Sequence, residues 1–149
     1  FYMVGTMGCS SAISLGIALK KSKQKVVCLD GDGALLMRTG VMSNISHYRP
    51  NNLIHILINN LSHESTGGQY SNSKNIFFQK LAEGFGYNSS LICSSLKELE
   101  HNLNSVIKNQ GPHFIEVQVK TRETITLPRP SVSPVKVAAR FTKFLEYLK

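Results

Sequence analysis

An acidic and an amide side chain follow two consecutive apolar segments, a pattern that can hold a phosphate through a metal ion. Asp32 lies in a Gly-Asp-Gly turn (31–33) after the apolar segment 26–29, and Asn60 follows the apolar segment 53–58. An aspartate facing a diphosphate is repulsive unless a divalent cation lies between them. Because Mg²⁺ prefers oxygen ligands, Asp32 predicts a Mg²⁺ site to which Asn60 supplies a second ligand.

The residues after Asp32 are suited to binding the phosphate itself. Glycine lets the backbone turn sharply and approach a ligand closely, and Gly33 and Ala34 precede a predicted helix whose first N–H groups can face an anion. A lone Asp-Gly turn is common and is weak evidence for a metal site. A spacing of 25 residues to an Asn-Asn pair (59–60), across a predicted strand–helix–strand unit, strengthens the joint interpretation.

Alternating helices and strands must position these residues. The predicted helices are 9–20, 35–47, 73–84, 95–108 and 135–148, and the predicted strands are 26–29, 53–58, 91–93 and 113–119. This alternation predicts an α/β fold, a doubly wound and mostly parallel sheet with helices on both faces. Ligands of such sheets bind at the carboxyl ends of the strands, where Asp32 and Asn60 fall. Segment 61–73 is predicted to be a functional loop, and 121–134 a connector.

Length and composition indicate one globular domain, 1–149, with a substantial core. The net charge of +8 comes from scattered Lys and Arg residues, without the pattern of a nucleic-acid-binding protein, so we expect small anionic ligands and no nucleic-acid partner. Three widely spaced cysteines predict reduced thiols and a cytoplasmic location. Polar residues and glycines interrupt the uncharged segment 1–19, so no membrane span is expected. Because the chain begins with Phe1 rather than Met, we expect a piece of a longer protein or a trimmed start.

The Gly-Asp-Gly turn and the Asn-Asn pair, at this spacing, resemble the motif of thiamin diphosphate (ThDP)-dependent enzymes. The resemblance implies ThDP and Mg²⁺ as cofactors. Carried across by position, it implies that Mg²⁺ is bound by Asp32, Asn60 and the backbone carbonyl of Ser62. It also implies that Gly33 and Ala34 donate backbone N–H groups to the diphosphate.

The segment Gly-Thr-Met-Gly (5–8) is similar to the loop under the two cofactor rings in this family. There the Gly5 carbonyl would accept from the 4′-amino group and Met7 would support the bent cofactor, although core filling is the ordinary role of a methionine. The stretches VGTMGCSSAISLGIAL, NNLSHESTGGQ and LPRPSVSPV resemble the phosphonopyruvate decarboxylase family, with sulfopyruvate decarboxylase as a near relative. Cys9 stands at a position where the resemblance to the family leads us to expect histidine. Leu61 replaces a usual glycine, which would strain the loop if that position needs a positive φ.

His63 and Glu64 follow the metal motif and are the candidate catalytic residues. His63 could bind the substrate's anionic group or move a proton near neutral pH. Glu64 could act as an acid or base only if its surroundings raise its pKa. A loop histidine facing water and a glutamate paired with a lysine are the alternatives.

The resemblance implies a lyase of phosphonate biosynthesis, a ThDP-dependent carboxy-lyase that converts 3-phosphonopyruvate, a small anionic 2-oxo acid, to phosphonoacetaldehyde and CO₂. It also implies that the pyrimidine-binding domain is absent from this chain, which would be inactive without that domain or a partner subunit in a homo- or hetero-oligomer. The close alternative is the β subunit of sulfopyruvate decarboxylase. A non-catalytic α/β module that binds a phosphate ligand or a protein is the alternative of another class, and a nucleic-acid module is a distant third.

Overall fold

The computed structural model describes residues 1–120 and 131–148 of the 149-residue chain. The helices are α1 (Ser10–Lys20), α2 (Asp32–Met37), α3 (Val41–Tyr48), α4 (Phe78–Gly84), α5 (Leu96–Val106) and α6 (Pro134–Tyr147). The strands are β1 (Val26–Gly31), β2 (Leu53–Asn59), β3 (Ser62–His63), β4 (Gln69–Tyr70), β5 (Ser89–Cys93) and β6 (His113–Gln118).

Four of these strands form one parallel sheet in the order β1-β2-β6-β5. β1 and β2 are neighbours in register, with Gly31 opposite Ile58, so the residues that follow these strands come to the same sheet edge. β3 and β4 form a separate antiparallel hairpin just beyond that edge. The structure confirms the predicted α/β fold with a parallel sheet and helices on both faces.

The two faces of the sheet carry separate hydrophobic clusters, as expected for strands buried on both sides. Leu53 and Leu57 of β2 contribute to the cluster that packs against α1, α2, α3 and α4. Ile54 and Ile56, which point the other way, belong to the cluster completed by α5 and β6. Because α5 does not extend over β1, the outer-face side chain of Leu29 is 66% exposed.

The predicted helix 35–47 is wrong in two respects. The structure has two helices there, and the first begins at Asp32. The Thr39 hydroxyl donates to the carbonyls of Leu35 and Leu36, at 3.1 and 3.3 Å. This side chain satisfies two of the carbonyls left open at a helix end, so α2 stops and the chain turns through Gly40 before α3.

The predicted helix 73–84 is also shorter in the structure. Residues Ser73–Asn75 form a single 3₁₀ turn, and α4 begins only at Phe78. The hydroxyl of Ser73, the residue at the predicted start of this helix, donates to Asp32 Oδ2 at 2.6 Å instead of capping the helix. A contact across the fold therefore replaces the local cap.

Other predicted elements agree more closely with the structure. Helix α6 begins one residue before its predicted start, with the Ser133 hydroxyl as its N-cap. Residues 1–8 contain no strand. Most of the predicted connector 121–134 lies outside the described residues. Within residues 1–120 and 131–148, no helix is long and apolar enough to cross a membrane.

Candidate functional site

Asp32 is the first residue of α2 and lies directly after β1, with only 2% of its surface exposed. Its Oδ2 accepts hydrogen bonds from the hydroxyls of Ser71 and Ser73, the latter at 2.6 Å. The two hydroxyl oxygens lie 2.7 Å apart. A buried carboxylate needs such donors, and here the segment beyond the β3–β4 hairpin supplies them.

The two adjacent asparagines at the end of β2 have different surroundings. Asn59 is 6% exposed, and its Nδ2 donates to Glu116 Oε1 of β6 at 2.8 Å. Its Oδ1 accepts from the backbone N–H of Leu61 at 3.3 Å. The Oδ1 of Asn60 accepts from the backbone N–H of Ser62 at 3.0 Å. Asn59 thus connects β2 to β6, whereas Asn60 lies in the turn that is predicted to bind Mg²⁺.

Gly33 and His63 face each other at the start of α2. A Cβ atom at Gly33 would lie 2.5 Å from Nδ1 and 3.0 Å from Nε2 of the His63 ring. Only glycine therefore permits this approach. The half-buried His63 ring therefore lies at the first turn of α2.

The N-terminal loop 5–8 packs on the same turn of α2. Gly5 and Gly8 have positive φ values of 74° and 90°, and Thr6 between them has 53°. A Cβ at Gly8 would lie 2.8 Å from the backbone oxygen of Ala34. The glycine therefore serves both the backbone conformation and the close approach. Gly5 is exposed and Met7 is half-buried, so Met7 does not simply fill the core.

An open groove of about 1280 Å³, called here the β1 groove, runs along the N-terminal loop, β1 and α6. Its lining includes three of the predicted cofactor-binding residues, Gly5, Met7 and Ala34. Ser65 of the loop after β3 also contributes. The groove therefore offers a ligand space next to the start of α2.

The structure brings the predicted site residues to one edge of the sheet. Those residues are Gly5, Met7, Asp32, Gly33, Ala34, Asn60, Ser62, His63 and Glu64. Glu64 is exposed at the start of a 3₁₀ turn, so it lacks the burial on which an acid or base role depends. Its catalytic role stays a prediction, as do the other residue assignments.

Leu61 has the positive backbone φ that glycine adopts more easily than leucine. Its φ is 62°, in the left-handed region that costs a residue with a Cβ about 1–2 kcal/mol. The other departure, Cys9, lies half-buried just before α1 as a free thiol. The turn between Asn60 and Ser62 therefore carries backbone strain next to the predicted metal ligands.

Three neighbours of the site were not predicted. Ser71, Ser73 and Glu116 hold the side chains of Asp32 and Asn59. The two serines lie in a loop without periodicity, and Glu116 occupies a buried strand position where an apolar side chain is expected. The sequence SNS (71–73) after two glycines was the one available signal.

The residues present fit a hard divalent cation. The predicted donors are a carboxylate, an amide oxygen and a backbone carbonyl, which is the oxygen set that Mg²⁺ prefers. The Ser62 hydroxyl is buried without a hydrogen-bond partner among the described residues, so this turn holds an unsatisfied oxygen. Both serine bonds to Asp32 go to Oδ2, so Oδ1 is the oxygen that a cation would take.

Comparisons with known proteins give the family. The domain described as "Thiamine pyrophosphate enzyme, C-terminal TPP binding domain" matches residues 1–117. Phosphonopyruvate decarboxylase of Streptomyces viridochromogenes is 37% identical over 97% of this chain, and that of Streptomyces hygroscopicus is 38% identical over 97%. The chain spans 36% of the length of each of these two relatives.

Two further matches, one a curated relative and one a solved structure, differ in length and in kind. Sulfopyruvate decarboxylase subunit beta of Methanothermobacter thermautotrophicus is 34% identical over 96% of this chain, which spans 74% of that subunit. An X-ray structure from Mycobacterium smegmatis, assigned by name to the thiamin diphosphate-dependent enzymes, superposes with a TM-score of 0.64 at 19% identity. The superposition covers 79% of this chain and 23% of the Mycobacterium smegmatis chain, and it supports the fold.

These matches confirm the predicted family and, with it, ThDP as the cofactor of the family. The match covers β1, the Gly-Asp-Gly turn, β2 and the Asn-Asn pair. The chain belongs to the C-terminal TPP-binding domains of the thiamine pyrophosphate enzymes.

Proposed function

We propose that this chain is the diphosphate-binding half of a ThDP-dependent decarboxylase that acts on 3-phosphonopyruvate. The observation that carries the proposal is the 37–38% identity to two phosphonopyruvate decarboxylases over 97% of the chain. The products would be phosphonoacetaldehyde and CO₂, and the enzyme would be a carboxy-lyase of phosphonate biosynthesis. Residues 1–149 would form a single domain.

In this proposal, one edge of the sheet holds the charged end of the cofactor. Asp32, Asn60 and the carbonyl of Ser62 would bind Mg²⁺, and Ser71 and Ser73 would hold the carboxylate of Asp32 in place. The backbone N–H groups of α2 would bind the diphosphate. Oxygen ligands on two rigid strand ends can hold a small octahedral ion without much rearrangement.

The N-terminal loop would position the rings of the cofactor. Gly5 would accept from the aminopyrimidine through its carbonyl, and Met7 would support the bend between the two rings. When bound, ThDP supplies the carbanion chemistry and the electron sink for decarboxylation. The protein's contribution is therefore to bind and orient the cofactor and to exclude water.

His63 and Glu64 would face the substrate end of the site. The His63 ring lies against Gly33 at the start of α2, so in this proposal it would bind an anionic group of the substrate that reaches this edge alongside the diphosphate. An imidazole there can donate a hydrogen bond to a phosphonate oxygen or move a proton near neutral pH. Glu64 would need burial by a partner to act as an acid or base.

The proposal includes a partner. The chain spans about a third of the phosphonopyruvate decarboxylases, and the exposed outer face of β1 and the open β1 groove provide a surface for a pyrimidine-binding domain or subunit. An oligomer would be needed for activity. A cytoplasmic location belongs to the same proposal, and the three free cysteines are consistent with a reducing compartment.

A second candidate function is the β subunit of a sulfopyruvate decarboxylase. The observation that favours it is length, because the chain spans 74% of the Methanothermobacter thermautotrophicus subunit but 36% of the phosphonopyruvate decarboxylases. In that case the partner would be a separate subunit. The substrate would carry a sulfonate in place of the phosphonate.

The test is a decarboxylation assay with both substrates. The chain is expressed with the domain or subunit that supplies the pyrimidine side, and CO₂ release is measured with and without Mg²⁺ and ThDP. We expect Mg²⁺- and ThDP-dependent turnover of 3-phosphonopyruvate and none by the chain alone. Preferential turnover of sulfopyruvate supports the second candidate. Turnover by the chain alone refutes the need for a partner, and a chain without ThDP affinity is a non-catalytic module.

A further inference from the structure

Three buried side chains that can bind a metal ion lie together beneath the sheet, apart from Asp32 and Asn60. Cys28, Asp30 and His55 are 2%, 5% and 0% exposed. One ligand atom from each, a sulfur, an oxygen and a nitrogen, lies within 4.8 Å of the others. The proposed function uses none of them.

The backbone dictates this grouping. Cys28 of β1 pairs in register with His55 of β2, so their side chains leave the same face of the sheet as neighbours. Asp30 lies two residues after Cys28 and points to that face as well. The cluster therefore follows from strand register rather than from a loop conformation.

The contact between His55 and Asp30 is not a good hydrogen bond. Nε2 of His55 lies 3.4 Å from Oδ2 of Asp30, longer than the 2.7–3.2 Å usual for N–H···O. Neither atom has a hydrogen-bond partner among the described residues. Two buried polar atoms thus face each other at ion-pair distance, without a hydrogen bond of ordinary length between them.

The same distance suits a shared cation. Zinc binds histidine nitrogen at about 2.0–2.1 Å and carboxylate oxygen at about 2.0–2.2 Å in tetrahedral geometry, which places the two ligand atoms about 3.4 Å apart. The observed separation is 3.4 Å. A thiol beside these two groups completes three ligands of the mixed sulfur, nitrogen and oxygen type that zinc accepts.

The surroundings of His55 fix its orientation. Nδ1 lies 3.2 Å from the Tyr87 hydroxyl, and the ring packs edge-on against Phe114 with centroids 5.3 Å apart. With the proton on Nδ1 donated to Tyr87, the lone pair of Nε2 points at Asp30. Metal-binding histidines commonly have such a partner on the second nitrogen.

A route for an ion exists. Cys28 and Asp30 line the β1 groove, together with Ser10 and Ser14 of α1. A fourth ligand, a water molecule, can be supplied from this groove.

We propose that Cys28, Asp30 and His55 form a binding site for a zinc-class divalent ion, which links β1 to β2 just before the strand ends that carry Asp32 and Asn60. On binding, the Cys28 thiol gives its proton to solvent and the thiolate bonds the metal.

The test is metal titration of the 149-residue chain with Zn²⁺ and Co²⁺. We expect one Zn²⁺ per chain, and a Co²⁺ complex with thiolate-to-metal charge-transfer absorption and the intense visible bands of tetrahedral cobalt. Cys28→Ala should abolish the charge-transfer band and weaken Zn²⁺ binding more than the roughly 10–100-fold typical of lost outer partners. Tyr87→Phe should weaken it by about that smaller factor.

One control variant separates this site from others. Cys93→Ala removes a buried thiol outside the cluster and should leave the thiolate-to-cobalt charge-transfer band unchanged. The spectrum of the unmodified chain does not depend on whether any variant folds. A chain with no Co²⁺ charge-transfer band and no stoichiometric Zn²⁺ overturns the proposal and leaves a buried His55–Asp30 ion pair. A band that survives Cys28→Ala in a folded variant overturns it as well.

Discussion

Replacing Asn59 by alanine should destabilise the protein much more than the same change at Asn60. Asn59 is buried and donates to the carboxylate of Glu116, which is itself 3% exposed. A hydrogen bond to a charged group contributes about 1.5–3 kcal/mol, and a buried group left without its partner adds a desolvation cost. We expect Asn59→Ala to lower the free energy of unfolding by about 3 kcal/mol.

The matched control is Asn60→Ala. The Oδ1 of Asn60 accepts a neutral hydrogen bond from the backbone N–H of Ser62, and a bond of this kind contributes about 1 kcal/mol. Urea unfolding measures the free energy of unfolding of both variants, and thermal unfolding measures their melting temperatures. At roughly 2–4 °C per kcal/mol for a chain of this length, the melting temperature should fall by about 6–12 °C for Asn59→Ala and by about 2–4 °C for Asn60→Ala.

A double-mutant cycle with Glu116→Ala isolates the pair. If Asn59 acts through Glu116, the coupling energy should be about 1.5–3 kcal/mol, because the second change removes the charge that the first leaves unpaired. A coupling below about 0.5 kcal/mol, within the scatter of independent sites, would refute this reasoning. Equal losses of stability in Asn59→Ala and Asn60→Ala would refute the division of roles.

Three further predictions concern strain, protonation and thiol reactivity. Leu61→Gly should raise the free energy of unfolding by about 0.5–1 kcal/mol, because relief of the left-handed backbone (about 1–2 kcal/mol) exceeds the entropy cost of glycine; a decrease in urea unfolding would contradict this. Burial, aided by the charge of Lys25, lowers the pKa of His113 below 6.5. The neutral form is favoured in the folded state, so this stability is present above about pH 6.5 and is lost as the pH falls through the lowered pKa; His113→Gln should flatten this dependence in thermal melts from pH 5 to 8. Burial raises the pKa of Cys28 to about 11 and also raises that of Cys93, so in the metal-free native chain at pH 8 a thiol reagent should label Cys9 quickly and the other two only on unfolding.

The position of the site could be predicted because it depends on the order of the strands and on the spacing of apolar residues along the chain. Asp32 and Asn60 each follow an apolar run, and parallel strands bring such positions to one edge. The left-handed conformation of Leu61 was anticipated only as a condition, from a family resemblance that places glycine at this position. Local pattern and topology were sufficient for the position of the site.

Contacts between distant segments could not be predicted in this way. The bonds from Ser71 and Ser73 to Asp32 span about 40 residues, from a loop without periodicity. Those bonds also explain why the predicted helix at 73–84 starts late, because the hydroxyl of the serine at its predicted start donates to Asp32 instead. The break between α2 and α3 depends on the Thr39 side chain, which donates to a backbone carbonyl at the end of α2. The spacing of apolar residues does not reveal such a contact.

The different roles of Asn59 and Asn60 follow from the alternation of side chains along β2. Asn59 shares a face with Leu57, so it points into the buried side toward Glu116. The Asn-Asn pair alone does not show this difference, because the acceptor lies 57 residues away. A buried glutamate on β6 became meaningful only when the sheet order was known.

The central claim is that Asp32 binds the cofactor diphosphate through a divalent ion. The most direct measurement is the equilibrium affinity for ThDP, with and without Mg²⁺, of the chain assembled with its pyrimidine-binding partner, for the unmodified protein and Asp32→Asn. We predict Mg²⁺-dependent binding that Asp32→Asn weakens by about 100-fold, which corresponds to about 2.7 kcal/mol. ThDP affinity that is independent of Mg²⁺, or unchanged in a folded Asp32→Asn variant, would contradict the claim.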